Sequence, residues 1–300
     1  MKRISIVGLC LVAAFALSAI VAGGAQAGTA NWFKCASVKK GEFTNNTCTT
    51  KASKKGKGKF ELQKLSSCIS VKKGEYTNNT CTTKASKKGK GKFEKVALPT
   101  ISATTGTAKL ATPAFGSGKV ECKGSTAAGQ ITSSDTATEQ VKFTGCQLEG
   151  KECTSFEGPG GDGTPSGEAG VILTNVLDLT LVGHGEKAGG HLHLEPASGE
   201  AWSEIVGTKN GVGTGAFSSE FVCGGEVVLH TNGSVSGVDS GVNGPVTTTN
   251  ETKFALGLGE EGLLTQVFTG VEFVPPGGAE STEETTATNK SSEAITIVAP

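Results

Sequence analysis

The chain has 300 residues, with 28 basic and 28 acidic residues and 44 glycines. Many Thr, Ser and Val residues and few Leu or Met argue against helices and favour strands joined by glycine-containing turns. No long stretch keeps a 3.6-residue apolar period, so we predict an all-β protein.

The first 27 residues are predicted to be a secretory signal peptide. Lys2 and Arg3 precede an apolar run over 4–21, and Ala25-Gln26-Ala27 forms a small-x-small cleavage site. The alternative is a membrane anchor, because the run is near the minimum length for a span. The alanine-rich run ends in a cleavage site, however, so we expect an exported protein, secreted or at the cell surface, without a membrane span after cleavage.

A 27-residue motif occurs twice, over 35–61 and 68–94, with 25 identical positions. Each copy has two cysteines with twelve residues between them, and the simplest pairing lies within a copy. The predicted pairs are Cys35–Cys48 and Cys68–Cys81. A unit with so few apolar residues buries too little surface to fold alone, and a disulfide of this spacing would add about 3 kcal/mol. We therefore predict two small disulfide-stapled β modules over 28–97.

The charge is divided unevenly between the repeats and the rest of the predicted mature chain. Residues 34–95 contain 17 Lys and 4 Glu, a net charge of 17 − 4 = +13, whereas the other 211 residues of 28–300 contain 9 Lys and 24 acidic residues, a net charge of 9 − 24 = −15. The sequence therefore predicts a basic pair of modules on an acidic body.

Each copy carries a lysine run with interleaved glycines after its second cysteine, which we expect to be mobile and solvated. The candidate anion-binding residues of the two runs are Lys54, Lys55, Lys57 and Lys59 in the first copy and Lys87, Lys88, Lys90 and Lys92 in the second. Clustered lysines attract anionic polymers through counterion release, so a cell-surface polymer is one candidate partner. The other interpretation is a solvated linker that pairs loosely with the acidic body. Export argues against a specific nucleic acid partner.

Residues 98–275 are predicted to form an acidic all-β domain, a β-sandwich or a barrel. Short Thr/Val/Ile-rich runs alternate there with glycine turns, and the alternation is clearest over 139–144 and 226–230. Strands are predicted near 100–105, 107–112, 118–123, 128–133, 138–145, 170–182, 191–195, 201–206, 215–223, 226–236, 246–257 and 264–273. Residues 276–300 are interpreted as a flexible acidic tail, in which 294–298 could form a last strand.

Eight cysteines follow the predicted cleavage site, and an even number in an exported chain favours disulfides. Four of them lie in the acidic domain. Cys146 and Cys153 bracket a short turn, so a local bridge is plausible, and Cys122 and Cys223 would then join two distant strands. Four cysteines allow three pairings, so the sequence leaves their connectivity open.

The strongest candidate for a metal site is the histidine cluster His184, His191 and His193. In a strand, the last two share one face with Glu195, and three nitrogens with a carboxylate suit zinc or copper. The competing interpretation is ordinary alternation, with the intervening leucines in the core and the polar side chains in solvent. We favour alternation and expect no cofactor, and we keep a metal-binding protein or metalloenzyme as the alternative function.

A serine hydrolase is disfavoured because the Gly-x-Ser-x-Gly elbow does not occur. The segment Gly163–Gly167 has its serine one position late, and Asp239-Ser240-Gly241 lacks the flanking glycines of serine proteases. The sequence therefore predicts no enzymatic activity.

The Cys-x12-Cys module, with Gly-Glu-Phe/Tyr inside it and Gly-Lys-Phe-Glu at its end, resembles modules of uncharacterised exported bacterial proteins. Four segments of the acidic domain resemble the same group: 120–123, 143–146, 151–154 and 221–225. The resemblance covers most of the mature chain and implies export and disulfides. Because that group has no known activity, the resemblance transfers no site. The expected function is that of an exported, non-catalytic structural or binding protein.

Overall fold

The computed structural model describes residues 29–111, 118–155, 167–183, 198–207, 209–211, 215–254, 262–268, 273–280 and 282–300. These residues form strands and no helix, which confirms the predicted all-β class. No helix long and apolar enough to cross a bilayer occurs in these ranges. The predicted signal peptide lies outside them.

The strands are defined here in chain order. They are β1 (Asn31–Gly41), β2 (Gly58–Lys64), β3 (Cys68–Gly74), β4 (Gly91–Lys95), β5 (Thr100–Thr105), β6 (Ala108–Ala111), β7 (Lys119–Cys122), β8 (Gly124–Ile131), β9 (Thr136–Thr144), β10 (Gln147–Leu148), β11 (Lys151–Ser155), β12 (Val171–Leu173), β13 (Leu177–Gly183), β14 (Ala201–Gly207), β15 (Lys209–Gly211), β16 (Gly215–Cys223), β17 (Val227–Asp239), β18 (Thr247–Phe254), β19 (Gly262–Phe268), β20 (Phe273–Glu280) and β21 (Thr282–Val298).

Eight of these strands close into an antiparallel barrel. The ladder runs in the order β5, β8, β9, β13, β14, β17, β18, β21 and returns to β5. This arrangement confirms the barrel-like body preceded by two disulfide modules. Closure gives every barrel strand a partner on both sides, although β17 and β18 are paired at only two positions, Val238 with Lys253 and Asp239 with Thr252.

Small side chains face the inside of the barrel on several strands. Ala103, Ser125, Ala127 and Ala287 all line the interior, where larger residues would fill it. Gly129 lies at an inward position of β8, where an added Cβ would come within 2.1 Å of the Thr138 carbonyl oxygen. Because a barrel of eight strands is just wide enough for side chains to fill, these small residues leave an internal cavity.

One end of the barrel is closed by a hydrophobic cluster to which the N-terminal modules contribute. Trp32, Leu65 and Leu98 are buried there against barrel residues such as Leu181 and Ile297. The two module copies lie between these three anchor residues, so both modules begin and end at the same end of the barrel. The Leu65 amide also donates a hydrogen bond to the Trp32 carbonyl oxygen at 2.9 Å, which ties two anchors together.

The first module is joined to the barrel by strand pairing. β1 pairs with β2 inside the module and also with the end of β21, where Asn31 is opposite Val298 and Lys34 is opposite Ile295. The boundary predicted near residue 97 therefore does not separate the first module from the barrel. The second module forms its own two-stranded sheet from β3 and β4.

The interpretation of residues 276–300 as a flexible tail is corrected by β21, which includes the last strand suggested over 294–298. This strand spans 17 residues and pairs with β18, β5, β6 and β1. Its inward residues Thr285, Ala287 and Asn289 line the barrel interior. The segment is polar because the side chains it turns inward are small and polar, and its backbone is fixed by ladders on both sides.

The other end of the barrel carries two disulfides within a second buried cluster that includes Val120, Ile172 and Phe221. The pairs are Cys122–Cys146 and Cys153–Cys223. The suggested pairs Cys146–Cys153 and Cys122–Cys223 are therefore wrong. The reason is register, since β11 pairs with β16 so that Cys153 lies directly opposite Cys223.

Candidate functional site

Each module is a disulfide-closed hairpin with the pairing predicted from sequence. Cys35–Cys48 and Cys68–Cys81 both have Cα atoms 5.7 Å apart. Together with the barrel disulfides they make four, which indicates an oxidising, extracellular environment.

An asparagine organises the loop inside each disulfide. The Asn45 Oδ1 atom accepts hydrogen bonds from the amides of Thr49 at 3.1 Å and Thr50 at 2.9 Å. In the second copy Asn78 receives the amides of Thr82 and Thr83 at the same two distances. Each asparagine therefore stabilises the turn inside its disulfide loop through its side chain.

The lysine run is held by the backbone on both sides of a turn, so the expectation of a mobile run is corrected. The Ala52 amide donates to the Glu42 carbonyl oxygen at 2.8 Å, and the Lys57 amide donates to the Lys54 carbonyl oxygen at 3.1 Å. The Phe60 amide then donates to the Phe43 carbonyl oxygen at 3.0 Å. The interleaved glycines permit this path: Gly56 has a φ of +72°, a conformation that L side chains rarely adopt.

We call the two backbone turns with their lysines, 54–59 and 87–92, the lysine turns. The second repeats the first closely, because the Lys90 amide meets the Lys87 carbonyl oxygen at 3.1 Å and Gly89 also has a φ of +72°. All eight predicted anion-binding lysines are exposed. None of the eight forms an ion pair with another residue in the described ranges. The described acidic residues of the barrel therefore do not neutralise the lysine turns through direct ion pairs.

The barrel interior is a second candidate site. It holds a cavity of about 180 Å³, whose wall includes Ile101, Val141, Leu177, Val235 and Phe254. Two carboxyl groups, those of Glu139 and Asp239, lie in the same wall. Both residues are almost fully buried, at 8% and 6% exposure. A buried carboxyl group needs either a partner or a function.

Asp239 has its partners within the protein. Its carboxylate accepts hydrogen bonds from the hydroxyl groups of Ser203 at 2.9 Å and Thr252 at 2.6 Å. The Asn289 side-chain amide donates to Thr252 at 2.7 Å, so the network connects β14, β17, β18 and β21. Burial raises the pKa of Asp239 to about 7, although the two hydroxyl donors act in the opposite direction. Asp239 therefore holds four barrel strands together.

Glu139 differs from Asp239 because its carboxyl group has no hydrogen bond or ion pair with any described residue. Its neighbours on the inward face of β9 are Val141 and Phe143, and Leu177 lies opposite on β13. Burial alone raises the pKa of Glu139 to about 7. Glu139 is therefore a buried carboxyl group in a mostly apolar wall, without a described partner.

Sequence reasoning did not identify Glu139, although a signal was present. In the clear alternation over 139–144, Glu139 has the same parity as Val141 and Phe143, which places its side chain on the apolar face. Asp239 likewise shares parity with Val235 in β17. Both residues could have been identified as acidic residues at strand positions that share a face with apolar residues.

The candidate metal ligands His184, His191 and His193 lie outside the described residues. Within the described ranges, no group of three His, Cys, Asp or Glu side chains is arranged to hold a metal ion. Ser240, considered for hydrolase chemistry, accepts a hydrogen bond from the Glu251 amide at 2.9 Å through its hydroxyl oxygen. Its neighbour Asp239 is bound to Ser203 and Thr252, as described above.

The chain was compared with protein-family models, curated proteins and solved structures. No family model, curated protein or solved structure matches it.

Proposed function

We propose that this chain is an exported, non-catalytic binding protein that attaches to an anionic cell-surface polymer through its two lysine turns. The observation that supports this proposal is a set of eight exposed lysines on two turns with the same backbone hydrogen bonds. None of the eight forms an ion pair with a described acidic residue. Clustered cations on a fixed backbone bind polyanions through counterion release, whatever the order of the polymer units. Two copies on one barrel add avidity without new contacts.

Export and surface location belong to the same proposal. The four disulfides support an oxidising compartment. The lysine turns then meet polymers outside the cell, where carboxylate, sulfate or phosphate groups are the available anionic partners. The turns offer several exposed, backbone-held charges at a regular spacing, which favours a polymer of repeated charges over a single small anion.

The test uses substitutions, because deletion of the modules would also remove Trp32 and Leu65 from the barrel end. Three variants change lysine to glutamine: Lys54, Lys55, Lys57 and Lys59; Lys87, Lys88, Lys90 and Lys92; or all eight. The matched control changes Lys119, Lys123, Lys142 and Lys253, four exposed lysines of the barrel region, to glutamine. Binding to isolated cell envelope and to immobilised polyphosphate, dextran sulfate and polygalacturonate is measured across a salt series.

We expect each four-lysine module variant to bind at least about tenfold more weakly than the native chain, with a shallower dependence on salt. The eight-lysine variant should lose retention at physiological salt, and the control should retain nearly native binding. Native retention of the eight-lysine variant, or an equal loss in the control, would show that the lysine turns do not carry attachment.

A further inference from the structure

The cavity inside the barrel has the dimensions of a small-ligand site. Its volume of about 180 Å³ slightly exceeds the roughly 150 Å³ of an apolar protein cavity known to bind benzene. Its wall is mostly apolar, with a few polar groups among aliphatic and aromatic side chains. Small-molecule sites have this composition, in which apolar contacts supply affinity and a few polar groups fix orientation. A ligand of one ring with a short substituent matches this volume.

The Glu139 carboxyl group is the polar group of the cavity that indicates a bound ligand. It is more than nine-tenths buried, lies in the cavity wall and has no partner among the described residues. Leaving a buried charged group unpaired costs about 1–3 kcal/mol or more, so a partner from outside the chain would recover part of that free energy. Asp239 is already bound by two hydroxyl groups, and it adds negative charge to the same cavity.

The charges of the wall determine which ligand fits. A carboxylate ligand would meet two buried carboxyl groups and be repelled, whereas an ammonium group would complement them. Two lysines, Lys109 and Lys290, also border the cavity. Lys109 is paired with Glu121 at 3.8 Å, and Lys290 is exposed on β21, so neither places its charge beside Glu139 in an enclosed setting.

We propose that the barrel interior is a binding site for one small apolar amine, whose ammonium group donates hydrogen bonds to the Glu139 carboxylate while its hydrocarbon part packs against the apolar wall. Leu177 lies opposite Glu139, Val141 is its next inward neighbour on β9, and Phe143 lines the same cavity farther along that strand. No residue of the lysine turns lines the cavity, so this proposal can be tested independently of the proposed function.

The first test uses isothermal titration calorimetry at pH 8 to compare three probes of the same shape. The protein is residues 28–300, the chain that remains after the predicted signal peptide is removed. Benzylamine is a cation, benzyl alcohol is neutral and benzoate is an anion. We expect benzylamine to bind at least about tenfold more tightly than benzyl alcohol, and benzoate not to bind, because charge-assisted hydrogen bonds are the stronger ones. Equal affinity for amine and alcohol, preference for benzoate, or no binding of any probe would overturn the proposal.

The second test replaces Glu139 with Gln, which keeps the size of the side chain and removes its charge. The matched control is Asp178→Asn, since Asp178 is an exposed acidic residue on the outer face of β13, next to Leu177. We expect Glu139→Gln to weaken benzylamine binding at least about tenfold and to leave benzyl alcohol unchanged, while Asp178→Asn changes neither. Native affinity in Glu139→Gln, or an equal loss in the control, would overturn the proposal.

The location of the ligand is tested by two-dimensional ¹H–¹⁵N spectra of the labelled chain. Benzylamine should shift the amides of Val141, Phe143 and Leu177. Shifts confined to the lysine turns or to the outer face of the barrel would place the amine elsewhere and would contradict the assignment to the interior.

Discussion

Glu139 carries a measurable consequence even without a ligand. Its pKa is raised by burial from 4.5 to about 7. A group with a raised folded-state pKa contributes stability that is fully present below its unfolded-state value and is lost as the pH rises through the folded-state value. The Glu139 contribution to the unfolding free energy is therefore complete below pH 4.5 and is lost by about pH 8.

The variant Glu139→Gln removes this dependence. The difference in unfolding free energy, variant minus native, should grow by about 3 kcal/mol between pH 4 and pH 8, because a shift of one pKa unit corresponds to 1.36 kcal/mol. Urea denaturation at several pH values measures it. Asp178→Asn should show no comparable growth. A constant difference across this range would mean that the Glu139 carboxyl group is not buried as described.

For Glu139 and Asp239, the sequence indicated which face of the strand the side chain occupies but not which residues surround it. Alternation places Glu139 with Val141 and Phe143, yet the size of the cavity depends on small residues of other strands, such as Ala127 and Ala287. The hydroxyl partners of Asp239 come from β14 and β18, which are far apart in the chain. No local pattern specifies such neighbours, because barrel closure brings them together.

Among the elements, the module hairpins depend on a close approach of two backbone segments. A Cβ added at Gly58 would lie 2.3 Å from the Phe43 carbonyl oxygen and 2.6 Å from the Phe43 nitrogen. Neither atom can move without breaking the hydrogen bonds that hold the lysine turn. Glycine is therefore required at this position for steric reasons and not for its flexibility.

We predict that Gly58→Ala opens the first module and leaves the second intact. The exchange rate of the Phe60 amide with solvent deuterium should rise at least about thirtyfold, equivalent to about 2 kcal/mol of lost local stability. The Phe93 amide, which makes the same bond at 3.0 Å in the second copy, is the internal reference. Gly106→Ala is the matched control, because an added Cβ there meets nothing within 4 Å. Unchanged exchange at Phe60 would refute the close approach.

The elements also show which pairings local sequence can specify. The two module disulfides were predictable because their cysteines are only 13 positions apart and each pair lies within one copy of the repeat. The barrel disulfides were not, since Cys153 meets Cys223 through the register of β11 and β16. Most of β21 was missed for a related reason, although its end over 294–298 was suggested as a last strand. Its inward residues are Thr, Ala and Asn, so its alternation does not appear as hydrophobic periodicity.

At the scale of the whole molecule, the first module and the barrel are expected to unfold as one unit. Trp32 belongs to the module strand β1, yet it is buried at 6% exposure in the barrel-end cluster. The ladder between β1 and β21 adds backbone hydrogen bonds to the same junction. Independent unfolding would require exposure of both this cluster and this ladder.

Trp32→Ala tests this coupling. We expect the unfolding free energy of the barrel to fall by about 3–5 kcal/mol, because a large buried side chain is removed and a cavity remains. Chemical denaturation followed by far-ultraviolet circular dichroism measures the change. Val176→Ala, at a position that is 50% exposed, should change the stability by less than about 0.5 kcal/mol. A native barrel midpoint in Trp32→Ala would mean that the module is an independent appendage.

The anchor residues Trp32, Leu65 and Leu98 are separated by 33 residues, the same offset that separates the two copies of the motif. The anchors are thus in phase with the repeat, and each unit of the chain carries one lysine turn together with one attachment point. Removal or addition of one 33-residue unit would keep the phase of the remaining anchors. Copy number can therefore change over evolution in steps of one turn plus one anchor, with the strand order of the barrel unaltered.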